Sequence, residues 1–375
     1  MAYFDHAATT RLSEQVRKAM DRHLREIYGN PSSLHTPGIE ARKTINSVKN
    51  RLAEHFGVTR QNIIFTSSGT EANNLALKGM YFRHPDAQIV TTTIEHHATE
   101  NSVRFLERIG CKTAWIRVDR DGFIDLDALK QALKRDTSLV SIIYANNEIG
   151  TVQPLKKIIP LVHEHGARLH LDMVQVPLHQ AIDFPALGVD FVTLSAHKFH
   201  GPRGIGCLIA RDPALLEPLI HGGQQEFHRR AGTENVATMI GFLTAYEAAR
   251  AQAKTHNAHV DQLSHYLIEQ LNLKAFDYRL NGPDLDHSRL NAILNIGFKD
   301  HDAQHLAFQL NRHGIYVSLG SACDSDNIEV SHVLKAIDVP KAYIRGSMRI
   351  SLSDENTYEE IDHLLKTLET ILHET

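Results

Sequence analysis

Short apolar runs alternate with stretches of helical periodicity between residues 60 and 210. The intervening stretches 71–81 and 97–109 show apolar residues at helical spacing. This alternation predicts a mostly parallel sheet covered by helices on both faces, with ligand sites at the carboxyl ends of the strands. The predicted strands are residues 63–65, 88–93, 112–118, 138–144, 168–171, 191–194 and 205–210.

The pattern changes in the last third of the chain. Two long helical patterns, 236–253 and 256–273, are predicted to carry the chain out of the large domain. Strands near 277–280 and 292–296, a helix over 302–312, a strand around Arg349 and a last helix over 358–372 then predict a smaller α+β domain. We assign residues 15–255 to the large domain, and residues 1–14 with 256–375 to the small one.

Length, charge and apolar content limit the number of domains and the classes of partner that the chain can have. The 375 residues suffice for about two domains. Lysine and arginine number 40 against 44 aspartates and glutamates, so the formal net charge is −4 and indicates no nucleic-acid or membrane partner. The N-terminus lacks a basic region followed by an apolar run, and no apolar stretch approaches the roughly 20 residues that cross a bilayer. We expect a cytoplasmic protein.

The chain has three cysteines, Cys111, Cys207 and Cys323. An odd number without Cys-x-x-Cys spacing argues against a disulfide framework and against a thiolate zinc site. Cys111 and Cys207 lie in apolar strand contexts, which favours a structural role for both. Cys323 precedes the polar, turn-forming residues 324–327, which favours an exposed loop over a small buried hydrophobe.

Lys198 follows the apolar run 190–194 in Ser195-Ala196-His197-Lys198. A lysine in this position can hold an aldehyde cofactor as a Schiff base. That chemistry also needs an acid for a pyridinium nitrogen, a phosphate cradle, a carboxylate-binding arginine and, for sulfur transfer, a thiol. The candidates for these roles are Asp172, the helix start at 69–71, Arg349 and Cys323.

Two of these features have alternative interpretations. The small residues 66–71 are typical of an anion cradle at a helix N-terminus, but a Ser/Thr N-cap explains the same string. Asp172 and Gln175 suit a pyridine ring, whereas His170 and Asp172 with His96, His97 or His197 suit a metal. We favour the ring, predict no metal site, and interpret His170 as a hydrogen-bonded core histidine.

Taken in order, these strings closely resemble the cysteine desulfurases, the NifS/IscS-like branch of the class-V aminotransferases, which are fold-type I pyridoxal-phosphate enzymes. The resemblance covers nearly the whole chain and implies an aspartate-aminotransferase type of fold. The matching strings are YFDHAATT (3–10), GNPSS (29–33), TSSGTEANN (66–74), EHH (95–97), NNEIG (146–150), HLDMVQ (170–175), SAHKFHGPRG (195–204), RAGTEN (230–235) and GSAC (320–323).

The resemblance implies pyridoxal 5'-phosphate as the cofactor. Lys198 would form the Schiff base and transfer the proton at the substrate α-carbon, while His96 would stack on the ring and act as a second catalytic residue that helps to transfer protons. Asp172 would pair with the ring nitrogen and Gln175 with the ring oxygen, and Asn147 would contribute to the same site. The phosphate would be bound by Gly69, Thr70, Ser195 and His197, joined by Thr233 from the other subunit of a homodimer.

For the substrate, the resemblance implies L-cysteine, with its carboxylate held by Asn147 and Arg349 and a further contact from Asn30. Cys323 would take the sulfur as a persulfide and L-alanine would be released. The acceptor would be an iron–sulfur scaffold or an enzyme of tRNA or cofactor thiolation.

Some departures from the family pattern leave the acceptor open. The family often has alanine at the position of Gly69, and Asp324 and Asp326 add negative charge after Cys323. The chain also stops soon after the last predicted helix, without the longer tail that docks the scaffold in housekeeping relatives. A selenocysteine lyase or an aminotransferase would need no thiol, and a sulfur-relay protein would need no Lys198. This chain has both.

Overall fold

The computed structural model describes residues 1–285, 287–319 and 330–374. The strands are β1 (Ala2–Tyr3), β2 (Ile63–Thr66), β3 (Gln88–Thr92), β4 (Lys112–Ile116), β5 (Thr137–Ile143), β6 (Arg168–Asp172), β7 (Phe191–Ser195), β8 (Gly206–Ala210), β9 (Tyr278–Asn281), β10 (Ile293–Phe298), β11 (Ile315–Tyr316) and β12 (Ser347–Ser351).

The helices are α1 (Glu14–Glu26), α2 (Thr36–Phe56), α3 (Gly69–Arg83), α4 (His97–Arg108), α5 (Leu126–Ala132), α6 (Leu155–Glu164), α7 (Phe184–Leu187), α8 (Gln225–His228), α9 (Val236–Leu273), α10 (Ala303–Arg312), α11 (His332–Ala336), α12 (Lys341–Ile344) and α13 (Tyr358–Glu374). Short 3-10 helices cover Arg60–Asn62, Ala196–Lys198 and Pro213–Leu215.

The large sheet has the order β2-β8-β7-β6-β5-β3-β4. Of these seven strands, β8 alone runs in the direction opposite to the other six. Alternate residues of β2 pack on opposite faces of the sheet, Ile63 and Phe65 on one face and Ile64 on the other. The apolar layers on these two faces form the first core. The predicted mostly parallel sheet with both faces covered is therefore confirmed, and each predicted strand overlaps an observed one.

A second core surrounds the antiparallel sheet β12-β10-β9 and helices α10 and α13. Ala2 and Phe4 from the N-terminus are buried in this core, and β1 pairs in parallel with β11. The chain's first residues thus pack with its last third, although they are far apart in sequence. The boundary predicted at residue 255 falls inside α9.

The prediction of two helices over 236–273 was wrong, because α9 is one helix of 38 residues. No glycine or proline interrupts it near Lys254 and Thr255, and Ala253, His256 and Val260 continue the buried face through that point. Its first half packs in the first core and its second half in the other. Despite this length, no helix in the described part of the chain is long and apolar enough to cross a membrane.

A buried ion pair joins α2, β2 and α8 just before the predicted phosphate cradle. Lys49 Nζ lies 2.5 Å from Glu226 Oε2, and both side chains are 3% exposed. Lys49 also donates to the Ile63 carbonyl, and the Phe65 amide donates to Glu226. Glu226, Phe227 and His228 have φ of 48°, 53° and 64°, a strained backbone that these contacts must stabilise.

We expect Lys49→Met to lower the free energy of unfolding by about 3–5 kcal/mol, because it leaves the Glu226 carboxylate buried without its partner. Urea unfolding measures the change. Adding Glu226→Gln should restore part of the loss. As a matched control, Arg17→Met breaks the exposed pair with Glu14 and should leave the urea midpoint close to that of the parent, because solvent screens exposed charges. If Lys49→Met and Arg17→Met lower the free energy of unfolding equally, this account is wrong.

Candidate active site

A cavity of about 240 Å³ lies at the carboxyl ends of the parallel strands. Its walls come from strand ends and from the starts of α3 and α4, where the sequence analysis placed most of the candidate residues. Ten of those candidates line it: Gly69, Thr70, His96, Asn147, Asp172, Gln175, Ser195, His197, Lys198 and Arg349.

Asp172 ends β6 and is 5% exposed. The Asn73 side-chain amide donates to its Oδ2 at 2.7 Å, and the Val174 amide donates to its Oδ1 at 3.0 Å. These two donors fix the carboxylate at the wall of the cavity. Asn73 was not among the predicted site residues, yet it lies one helical turn from Gly69 on the same face of α3, a spacing that points to it.

Lys198 closes the short 3-10 helix after β7. Its Nζ donates to the carbonyls of Ala7 at 2.5 Å and Ala8 at 2.8 Å. Gln175 Nε2 donates to the same Ala7 carbonyl at 2.9 Å. The N-terminal segment thus orients two predicted site residues through its backbone. Side-chain patterns carry no signal for such carbonyls, so the sequence analysis missed them.

The start of α3 combines both interpretations of residues 66–71. Ser68 is the N-cap, and its hydroxyl accepts from the Glu71 amide at 3.1 Å. A Cβ built on Gly69 would lie 3.0 Å from Val174 Cγ2 and 3.3 Å from Ser195 Cβ, so glycine lets the helix start approach these residues. The positive end of the helix therefore faces the cavity and favours an anion there.

The two cavity histidines are held neutral by burial. His96 is the N-cap of α4, and its Nδ1 accepts from the Ala98 amide at 3.0 Å, which leaves the proton on Nε2. Burial lowers the pKa of His96, and nearby Asp172 opposes the shift. Burial, with the charges of Lys198 and Arg203, lowers the pKa of His197 to about 4.

Arg349 is a buried cation at the cavity wall, 1% exposed. It pairs with Asp5 Oδ1 at 2.8 Å and donates to the Asn147 carbonyl at 2.8 Å. Its Nε has no hydrogen-bond partner among the described residues. A guanidinium that lines a cavity and keeps an unpaired donor is suited to bind a carboxylate.

Three predicted site residues do not line this cavity. Thr233 is exposed and lines a neighbouring cavity of about 220 Å³ with Ser67 and Arg230. Asn30 is exposed, and its Oδ1 accepts from the Ser32 amide at 2.9 Å. Cys323 lies outside the described residues. The roles of all three stay predictions.

His170 is a core histidine, as interpreted from the sequence. It is fully buried, its Nδ1 lies 2.8 Å from the Ser141 hydroxyl, and its Nε2 lies 3.0 Å from the Thr193 hydroxyl. Burial lowers its pKa to about 4. Because both ring nitrogens are engaged by neighbouring strands, His170 is not available as a ligand in the alternative metal site.

Glu95 is a buried carboxyl behind the cavity that the sequence analysis left without a role. Its Oε1 accepts from the Thr92 hydroxyl at 2.5 Å and from the Ile143 amide at 3.0 Å. Its Oε2 has no hydrogen-bond partner in the described part of the chain. Burial raises the pKa of Glu95 to about 8, so this side chain is protonated at neutral pH.

We expect Glu95→Gln to become progressively more stable than the parent as pH rises from 5 to 8. The folded parent keeps the proton up to about pH 8, whereas the ordinary carboxyl pKa is 4.5, so the parent loses stability across this window. The slope is at most about 1.4 kcal/mol per pH unit. Urea unfolding at several pH values measures it.

The control is Glu107→Gln, since hydrogen bonds from Thr113 and Trp115 lower the pKa of Glu107 against the effect of burial. Glu107 is ionised in both states above pH 5 and these two partners do not titrate there, so its variant should differ from the parent by a constant amount. A pH-independent difference for Glu95→Gln would show that Glu95 is ionised in the folded protein.

Comparison with known proteins supports one family throughout. The class-V aminotransferase family model matches residues 2–364. A cysteine desulfurase IscS of Dictyoglomus turgidum is 41% identical over 372 residues, which span 99% of this chain and 94% of that protein. A solved structure described as a NifS-like protein covers 100% of both chains at a TM-score of 0.93 and 36% identity.

A further solved structure, described as SspA in complex with cysteine, is similar at a TM-score of 0.82 and 30% identity over 95% of this chain and 100% of that one. The resemblance and the type of fold inferred from the motifs are both confirmed. The chain belongs to the class-V aminotransferase family, in its IscS/NifS-like cysteine desulfurase branch.

Proposed function

We propose that this cysteine desulfurase binds pyridoxal 5'-phosphate in the 240 Å³ cavity, converts L-cysteine to L-alanine, and transfers the sulfur as a persulfide on Cys323. The observation that carries the proposal is the convergence of Lys198, Asp172, the start of α3 and Arg349 on one cavity. An amine, an acid, an anion cradle and a carboxylate-binding cation are the groups that this chemistry requires.

The donor set fits the cofactor. Asp172 would hold the proton on the ring nitrogen, and its two internal donors leave acceptor capacity toward the cavity. The phosphate would be bound at the start of α3, where Gly69 permits a close approach, by Gly69, Thr70, Ser195 and His197. When bound, pyridoxal phosphate supplies an electron sink for the pair released at the substrate α-carbon.

The chain's own residues position the substrate and move its protons. The Ala7 and Ala8 carbonyls orient the Lys198 amine, which would take the proton from the substrate α-carbon. Neutral His96 carries its proton on Nε2, so it could donate that proton and later recover it. Arg349 and Asn147 would hold the substrate carboxylate, which would compete with Asp5 for the guanidinium.

Elimination supports Cys323 as the sulfur carrier. Cys111 and Cys207 are buried, and burial raises the pKa of the Cys111 thiol to about 11 and that of Cys207 further. A thiolate is the attacking species, so both are poor nucleophiles. The Cys323 thiolate would bond to the substrate sulfur while the C–S bond breaks. The bonding pair stays on carbon, which is protonated to give alanine.

We further propose a homodimer in which Thr233 of one subunit completes the phosphate site of the other. The exposure of Thr233 and its place outside the first cavity support a role that needs a partner. The sulfur acceptor, an iron–sulfur scaffold or a tRNA- or cofactor-thiolation enzyme, and the cytoplasmic location stay predictions from sequence.

The test compares Cys323→Ser with Cys111→Ala, a matched control at a buried thiol. With L-cysteine and a thiol reductant, we expect Cys323→Ser to lose sulfide and persulfide to background, because a hydroxyl cannot accept the sulfur. Its cofactor absorbance should persist, since a thiol that only attacks the substrate sulfur is not needed to hold the cofactor. Cys111→Ala should keep the parent rate. Alanine and sulfide are quantified together.

If Cys323→Ser releases alanine at the parent rate, the persulfide mechanism is wrong and a lyase acting as in selenocysteine cleavage is the better account. If the parent binds cofactor but forms no alanine from L-cysteine, the desulfurase activity itself is wrong.

Mixed dimers test the shared site. Lys198→Ala should abolish activity in the homodimer, with a rate loss above the roughly 10² to 10⁴ of a lost general base. Thr233→Ala should weaken it through the partner's phosphate site. Chains carrying these two changes, differently tagged and co-purified, should regain about one working site per dimer. Mixed dimers no more active than the sum of the homodimers would place Thr233 in its own subunit's site.

A further inference from the structure

Three side chains that the proposed chemistry does not use form a cluster beside the cavity. His97 and Glu100 lie in the first turn of α4, and His332 begins α11. One potential ligand atom from each lies within 4.8 Å of those of the other two. The His97 ring also lies next to that of His96, with centroids 6.3 Å apart.

Glu100 Oε2 is the centre of this cluster. It lies 3.0 Å from His97 Nδ1 and 3.8 Å from His332 Nε2, and the two imidazole centroids are 4.9 Å apart. An ion with bonds of about 2.0–2.2 Å in tetrahedral geometry separates its ligand atoms by about 3.3–3.6 Å. The observed separations bracket that value, so small side-chain rotations would suffice to enclose an ion.

The neighbours of Glu100 leave one of its carboxylate oxygens available to an ion. Arg104 occupies Glu100 Oε1 at 2.9 Å, which leaves Oε2 to the imidazoles. The side chains of His97, Glu100 and His332 are 21%, 14% and 25% exposed, mostly shielded yet reachable by an ion from solvent.

We propose that His97, Glu100 and His332 bind a divalent first-row transition-metal ion, for which Zn²⁺ is the probe. Imidazole nitrogens with one carboxylate suit zinc and its neighbours rather than magnesium or calcium. Three protein ligands leave a fourth position for water or another small ligand. On binding, the ion takes the place of the protons on the coordinating nitrogens, including the one that His332 Nε2 donates to the Glu95 carbonyl at 2.9 Å.

The ion would link two distant parts of the chain. It would join the first turn of α4, whose N-cap His96 faces the cavity, to the start of α11. The site does not depend on the proposed desulfurase function, because its ligands are not among the residues assigned to catalysis. Metal binding and sulfur transfer therefore fail or succeed independently.

The experiment is a Zn²⁺ titration of the cofactor-loaded dimer in competition with a chromophoric chelator. We expect one ion per chain. His97→Asn and His332→Gln keep an amide nitrogen close to the hydrogen-bonding nitrogen of each ring, and Glu100→Gln keeps the shape of the carboxylate. Each should weaken Zn²⁺ binding by at least about tenfold, since losses of outer partners alone cost about 10–100-fold. Mg²⁺ should not compete.

His305→Gln, at an exposed histidine on α10, and Cys323→Ser, which removes the predicted catalytic thiol, are the controls and should bind Zn²⁺ as the parent does. If the three cluster variants bind as tightly as the parent, or if Cys323→Ser loses the ion, the proposal is wrong. A difference spectrum of the parent with Co²⁺ needs no variant to fold. We expect visible bands from Co²⁺ and no sulfur-to-metal charge-transfer band. A sulfur-to-metal charge-transfer band would instead show that a thiol binds the ion.

Discussion

The buried charge of Asp172 is the constraint on which the site depends. A carboxylate removed from water must be compensated by donors. Asn73 and the Val174 amide supply two, and Asn73 is in range because α3 begins at Gly69, where the missing Cβ lets the helix approach Val174. Glycine, asparagine and aspartate therefore act as one unit. The remaining acceptor capacity of Asp172 is available to a cationic donor in the cavity.

The N-terminal segment links the site to both cores of the protein. Ala7 is buried in the second core, yet its carbonyl accepts from Lys198 and Gln175, which follow strands β7 and β6 of the large sheet. Asp5 pairs with Arg349 of the small sheet. Lys198 and Arg349 are thus oriented by a segment that packs in the second core and contacts residues beside the large sheet, so the cavity depends on both parts of the fold.

The limits of prediction follow from the same contacts. Strand ends such as Asp172 and Ser195 were predictable because parallel strands deliver their carboxyl ends to one edge. The Ala7 and Ala8 carbonyls were not, since any residue offers a backbone oxygen and only tertiary packing selects one. Lys254 and Thr255 were predicted to divide two helices, but a gap in apolar periodicity does not end a helix without a glycine or proline. His332 and Glu100 are far apart in sequence, so only the tertiary structure shows that they lie 3.8 Å apart.

The start of α4 shows why a short motif can hide several roles. The N-cap His96 has an extended backbone, with φ −62° and ψ 147°, while His97 is already helical, so consecutive side chains diverge. Glu95 enters the core against Thr92, His96 faces the cavity, and His97 lies over Glu100 one turn along. The neutral Glu95 holds the end of β3 against β5 through the Ile143 amide. It thereby fixes the point from which both histidines diverge, so a residue without chemistry of its own positions the groups of two separate sites.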